Sequence, residues 1–261
     1  EIENIMVSDA IVTGGLKTSL TWRQYIRIDP SGLSGNGVLA LNNTKASFAD
    51  YIPNTLRNEF TLDPETQLLS ITALNLKHTD YYLNTKGSYT LNTSAIDMHI
   101  MGVWKNVKKF TSNLNTPITA DLKLSGTTDQ LSGEFSLHTA YKDMDITPIL
   151  MLEKQGQTIA IQDIKGNAGP ATLDGNVTYN LDTRNANGQI LVRIEDLADL
   201  KAFIPVKDIS GSGTLSANIS SPNNTPQVSL NANLDNTVIA STELEKVSLH
   251  VTQAETGYMG D

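Results

Sequence analysis

The chain has 261 residues, a formal charge of −9, no cysteine and only 6% aromatic residues. The missing cysteines exclude disulfides, thiolate metal sites and cysteine nucleophiles. The acidic balance argues against nucleic acid as a partner, because phosphate contacts need clustered Lys and Arg. No apolar run reaches the roughly 20 residues that span a bilayer. The first residue is Glu1 and no signal-peptide pattern follows it, so the chain reads as a segment of a longer protein whose targeting signals lie outside it.

In chain order, the first distinctive stretch is GNGVLALNNTKASFADYIP (35–53). It predicts a strand followed by a short helix near 45–52, with Phe48, Tyr51 and Ile52 on one side before Pro53. Alternation of apolar and polar residues, the period-2 signature of half-buried strands, dominates from there on. From Gln67 the order is QLLSIT, a loop, YYLNTKGSYTLNT, HIMGVW, KNVKKF, TADLKLSG and GEFSLHT. From Gln157 it is QTIAIQ, a loop, ATLDGNVTYNLDT, QILVRI, EDLADLKAF, SGTLSANIS and PQVSLNANL. Ile71 answers to Ile161, Thr93 to Thr183 and Phe110 to Phe203. This self-similarity predicts stacked supersecondary units. They are a first unit over 1–65 that matches weakly, a second over 66–156 and a third over 157–261. Residues 195–204 predict a second short helix, with Leu197, Leu200, Phe203 and Ile204 as its apolar residues and Pro205 as its stop.

A sheet with one apolar face must bury that face against something. The apolar positions here mix Leu, Ile and Val with Ala, and there is little large apolar material for a thick core. The fold expectation is therefore mainly β, with an open or half-closed groove. Alternation selects the residues lining it: Leu173, Val177, Tyr179 and Leu181; Ile190, Val192 and Ile194; Leu215, Ala217 and Ile219; Val228, Leu230, Ala232 and Leu234; Val247, Leu249 and Val251. The 195–204 helix is expected to pack across the groove and cap part of it.

Residues 196–252 resemble TamB, the translocation and assembly module of the bacterial envelope, and the AsmA-like family around it. The resemblance is one of order. A DLADLKAF helix (Asp196–Phe203) is followed by a SGSGTLSANIS strand (Ser210–Ser220) and a loop with Pro226. A VSLNANL strand (Val228–Leu234) and an LEKVSLHV strand (Leu244–Val251) complete it. Residues 66–139 repeat that order less well, since Trp104–Phe110 replaces the Leu-rich helix and the loop at Thr127–Gln130 has no Pro. The resemblance implies a β-taco, a long sheet curled into a half-pipe with a hydrophobic inner surface. It also implies the setting of bridge-like lipid transfer proteins. There the whole protein is tethered to the inner membrane, crosses the periplasm and meets an outer-membrane barrel partner. It carries phospholipid acyl chains toward the outer membrane and assists assembly and secretion of outer-membrane proteins.

Sites for chemistry are sparse. His78, His99, His138 and His250 have no second His at helical spacing and are expected to face solvent. Asp143 and Asp145 share one strand face, a pattern far commoner as exposed acids than as a calcium or acid–base pair. No nucleophile elbow or phosphate loop occurs, and GSGTLSA (211–217) enters a strand rather than a helix. Five Asn-x-Ser/Thr sequons, at Asn42, Asn92, Asn176, Asn218 and Asn223, read as chance in an Asn-rich chain. The expectation is a protein that is not an enzyme, with no cofactor and no metal. The competing readings are a secreted β-solenoid adhesin with a closed, dry core and a polysaccharide-degrading β-helix. Solenoid coils of about 20–30 residues fit the repeat length poorly, and the enzyme needs clustered acids and aromatics that the sequence lacks.

Overall fold

The structure is a computed structural model that describes residues 2–12, 17–30, 32–45, 53–107, 116–141, 144–202, 208–222, 225, 227–254 and 257–260. The fold is mainly β. Helix among the described residues is confined to short 3-10 pieces, the longest at Leu197–Ala202. The chain divides into two compact units, residues 1–131 and 132–261.

The first unit is a meander of β1 (Ile2–Val12), β2 (Lys17–Asp29), β3 (Gly32–Lys45), β4 (Thr55–Asp63), β5 (Leu68–Lys77), β6 (Tyr81–Thr90), β7 (Ala95–Trp104) and β8 (Ile118–Thr127). Each strand pairs antiparallel with the next. Turn chemistry fixes where they end. At the β4–β5 turn the Asp63 carboxylate accepts the Thr66 hydroxyl at 2.7 Å and the Glu65 N–H at 2.9 Å. These bonds, the Thr66 hydroxyl foremost, hold the Asp63 carboxyl below its ordinary range.

The second unit opens with β9 (Gln130–Tyr141) and continues through β10 (Met144–Ile146), β11 (Ile149–Gln155), β12 (Thr158–Ala168), β13 (Ala171–Asn180), β14 (Ala186–Ile194), β15 (Ile209–Ser220), β16 (Gln227–Ile239), β17 (Thr242–Ala254) and β18 (Gly257–Gly260). β10 and β11 share one place in the sheet, since both pair with β9 and with β12. Pro148 separates them because it has no N–H for the ladder. Its carbonyl still accepts the Leu137 N–H at 3.0 Å, and the Thr147 N–H reaches the Asn167 carbonyl at 2.9 Å. Antiparallel meanders of this kind are not the parallel coil stacking of a β-helix.

The repeat seen in the sequence has a backbone counterpart at a spacing of 90 residues. A register shift between Ile71 and Leu74 recurs between Ile161 and Ile164. The Leu91 N–H donates to the Gln67 carbonyl at 2.9 Å, and the Leu181 N–H to the Gln157 carbonyl at 2.8 Å. After β7, Val107 is 2% exposed; after β14, Leu197 is 3% exposed. The segment from β5 to β9 thus repeats the element order of β12 to β16. The compact units divide elsewhere, at Leu131/Ser132, because compactness follows strand contacts rather than the repeat.

Two short helices were expected. In the 45–52 segment, Lys45 ends β3, and 46–52, with Phe48, Tyr51 and Ile52, lie outside the described residues. At 195–204 the short helix forms as a six-residue 3-10 helix over Leu197–Ala202. Asp196 starts it by accepting the Ala198 N–H at 2.8 Å. Leu197 is buried and Leu200 half-buried, while Phe203 and Ile204 lie outside the described residues.

A true core is nearly absent. The buried apolar residues among those described are Val107, Ile164, Leu197 and Ile209.

Two outcomes follow. Leu197→Ala should lower the unfolding free energy by about 2–4 kcal/mol in urea titration, whereas Leu215→Ala, at a site 43% exposed, should cost about 1 kcal/mol or less. The Asp63 carboxyl should titrate below the ordinary aspartate range by NMR. Its lowered pKa contributes stability above the unfolded pKa, and that contribution is lost as pH falls through the folded value.

Candidate functional site

Directly paired residues in an antiparallel sheet project from the same face, so the register decides which side chains share a surface. Across the second unit one row runs Leu173, Val192, Leu215, Ala232, Leu249. The next runs Ile164, Gly175, Ile190, Ala217, Leu230, Val251. A third runs Leu152, Ile161, Val177, Gly188, Ile219, Val228. Flanking these are Ala168, Ala171, Ile194, Gly213, Leu234, Val247 on one side and Ile159, Tyr179, Ala186 on the other. Every residue selected by alternation falls on this single face except Leu181. β13 stops at Asn180, so Leu181 sits in the following turn, 42% exposed, with its N–H tied to Gln157.

The face is apolar and mostly uncovered. Leu215 is 43% exposed, Val228 36%, Leu230 37% and Leu249 50%. Among the described residues, one end has a cover. A Cβ at Gly213 would lie 3.0 Å from Leu234 Cδ2 and 3.4 Å from Leu197 Cδ2, so the 3-10 helix sets Leu197 on the sheet where a glycine leaves room. The opposite face is polar: Thr172, Arg193, Thr214, Asn233, Ser248 in one row and Asp174, Leu191, Ser216, Asn231, His250 in the next. Its side chains bond across strands, Ser248 Oγ to Asn233 Oδ1 at 2.9 Å and His250 Nδ1 with Asn231 Oδ1.

The first unit has a comparable face that the alternation search did not select. One row runs Trp22, Leu39, Leu56, Leu76, Leu83, Gly102, Ala120. Another runs Ile26, Gly35, Phe60, Ile71, Gly87, Met98, Leu124. The register shifts at Glu59/Phe60 and at Ile71/Leu74 mark one extra residue in β5, which breaks that strand's strict two-residue period. Between the two rows lies Gln24, Gly37, Asn58, Leu74, Thr85, Ile100, Leu122. Gln24 and Thr85 are buried polar residues on this apolar face, at 5% and 4% exposure. The Asn58 amide donates to Gln24 Oε1 at 3.4 Å, while Asn58 Oδ1 is buried without a partner. At one end of the face His78, Tyr81 and Trp104 stack, with ring centroids 4.9 and 4.7 Å apart. Partial burial pushes the Tyr81 phenol above its ordinary pKa.

The histidine expectation is corrected at one position. His78 has a side chain only 8% exposed, its Nδ1 accepting the Asp80 N–H at 3.1 Å. The β5–β6 corner is sealed against the segment that carries Val107: the Asp80 carbonyl accepts the Lys105 N–H, and its carboxylate accepts the Asn106 amide at 3.2 Å. His99 is partly covered and meets Asp121 at 2.7 Å. His138 is exposed, 3.6 Å from Asp145, and His250 is exposed. Asp143 lies outside the described residues. Among the described residues no group of three or more His, Asp or Glu converges as a metal site, and no helix is long and apolar enough to cross a membrane.

Compared with known proteins, the chain matches no family, no curated protein and no solved structure.

Gly37→Ala tests the polar bar in the first unit. A Cβ there would stand 2.0 Å from Gln24 Oε1 and 2.7 Å from the Arg23 carbonyl. The substitution should displace Gln24 from Asn58 and lower the unfolding free energy by about 1–3 kcal/mol in urea titration.

Proposed function

We propose that this chain is a stretch of a lipid conduit of the TamB and AsmA-like kind. On this reading the apolar sheet face carries phospholipid acyl chains through the periplasm of a Gram-negative envelope. The inner-membrane anchor and the outer-membrane barrel partner belong to parts of the protein beyond this chain, and no step is catalytic. The observation that supports the reading is the set of aliphatic rows running without a polar break from β12 to β17, left uncovered. An exposed apolar surface of this extent marks a binding surface for something apolar. Each methylene laid on it and removed from water contributes roughly 0.8 kcal/mol. An acyl chain is therefore held well in sum, while the uniform row offers no deep local trap. Headgroups remain in water, which suits a cradle rather than a sealed cavity.

The test uses neighbours of opposite orientation. Leu230 and Asn231 are adjacent in β16 and project from opposite faces. A photo-crosslinking residue at Leu230 should capture phospholipid in cells, and one at Asn231 should not. Leu230→Asp should impair lipid transport more than Asn231→Asp, since an unpaired acid on the strip is costly to desolvate. Circular dichroism must show both variants folded. Equal capture at the two positions, or capture at neither in folded protein, refutes the assignment.

A further inference from the structure

On β12, β13 and β14 the apolar face of the second unit has two unlike ends. At the end of the β12–β13 and β14–β15 connections its row is Ala168, Ala171 and Ile194. Leu197 follows within the β14–β15 connection, 3% exposed and set against Gly213. At the end of the β13–β14 turn the row is Ile159, Tyr179 and Ala186. Tyr179 is the one residue with a polar group on this face of the three strands; the rest are Ile, Val, Leu, Ala and Gly. Tyr179 is half-buried, and Leu181 in the turn beyond it is 42% exposed. The pair recurs in the first unit. Tyr89, half-buried, stands between Leu69 and Ile96 on the apolar face, and Leu91 in the next turn is 50% exposed with the same backbone bond.

Tyr favours borders where the ring meets apolar groups and the hydroxyl meets something polar. An aliphatic strip with a phenol at one end and a buried leucine at the other fits an amphiphile with one polar end. The length agrees. From Tyr179 to Ala171, β13 runs about 26 Å at roughly 3.3 Å per residue. An acyl chain fills half of a hydrocarbon core of roughly 30 Å, so it lies along this strand within the strip.

We infer that Tyr179 fixes the direction of a phospholipid on the face of the second unit: its phenol O–H donates to an ester or phosphate oxygen, and the acyl chain runs along β13 toward Leu197. Tyr89 is the counterpart in the first unit. This rests on the lipid-conduit reading and adds to it an orientation and a residue that contacts the polar end. Ester and phosphate oxygens accept hydrogen bonds, which suits a phenol that donates one. Such a bond favours binding roughly fivefold.

The experiment loads the purified chain from phosphatidylethanolamine vesicles that carry a photoactivatable phosphatidylethanolamine. Its diazirine stands either beside the ester of one acyl chain or at the methyl end of that chain. Peptide mass spectrometry after irradiation locates the labels. The ester probe should label residues 177–184, and the methyl-end probe residues 171–173 and 192–197, each with several-fold preference. Tyr179→Phe keeps the ring and removes only the hydroxyl, so the variant is expected to fold. It should retain phospholipid roughly fivefold less well and lose the separation between the two probes, while uptake of hexadecane, which has no headgroup, is unchanged. Tyr82→Phe, on the opposite face of the first unit, should alter none of these. Labelling by the two probes at the same residues of the unaltered chain, or in the reverse order, overturns this inference and leaves the conduit reading standing. So does a Tyr179→Phe variant with retention and probe order unchanged, the outcome for a phenol that meets water alone. No lipid uptake and no labelling of folded protein overturns both.

Discussion

The structure depends on one constraint: successive side chains of a strand leave the sheet on opposite sides, and within each unit most of the described residues lie in antiparallel strands. Each unit is therefore a surface with two chemistries rather than a core with a shell. In an ordinary two-layer domain the apolar face is buried against a second element, and that burial supplies most of the stability. Among the described residues, the buried apolar side chains outside the strands are Val107 in one unit and Leu197 in the other. Stability must come mainly from backbone ladders and from cross-strand contacts along each row, such as Leu215 beside Val192 and Ala232.

Such a surface works only if the register never slips by one residue, since a slip would carry the apolar set to the polar side. Bulges answer part of this demand. The shift between Ile161 and Ile164 keeps both isoleucines on the apolar face, with Gln162 and Asp163 taking up the extra length; Asp163 reaches φ of 50° to do so. Glycine answers another part. At Gly213 the missing side chain admits Leu197, and at Gly188 a Cβ would lie 2.3 Å from the Asn176 carbonyl oxygen. The same bulge recurring 90 residues apart, at Ile71/Leu74, shows one local solution used in both units.

The β class, the alternating faces and the repeat were legible in the sequence because each is a local periodic signal. Leu215, Leu230 and Leu249 could be placed on one face by counting in twos. Counting failed where the backbone departs from two-residue steps. The extra residue of β5 between Ile71 and Leu74 broke the count in the first unit, and the turn after Asn180 removed Leu181 from the face of the second. The helical pattern at 195–204 was real as composition, but six residues in 3-10 geometry bring Leu197 and Leu200 onto one side without an α-helix. Burial of His78 was not legible, since it depends on Tyr81 stacking on it and on Asp80, which is tied to Lys105 and Asn106 after β7.

The two apolar faces differ in one physical respect. That of the second unit is a nearly uniform aliphatic field, whereas that of the first is crossed at β2 to β4 by Gln24 and Asn58. A polar pair inside an apolar surface is tolerable only when its groups are bonded, and Asn58 Oδ1 is not. Replacing the pair by aliphatic residues of similar size would remove that unpaired acceptor and lengthen the apolar rows, so stability alone does not account for it. A surface that holds its occupant by area alone gives equal retention at every position. A polar bar breaks that equality, because methylenes lying over it gain less than those lying over leucine. In the first unit the bar therefore interrupts the aliphatic field where Gln24 reaches over Gly37, with Thr85 a further polar residue on the same row.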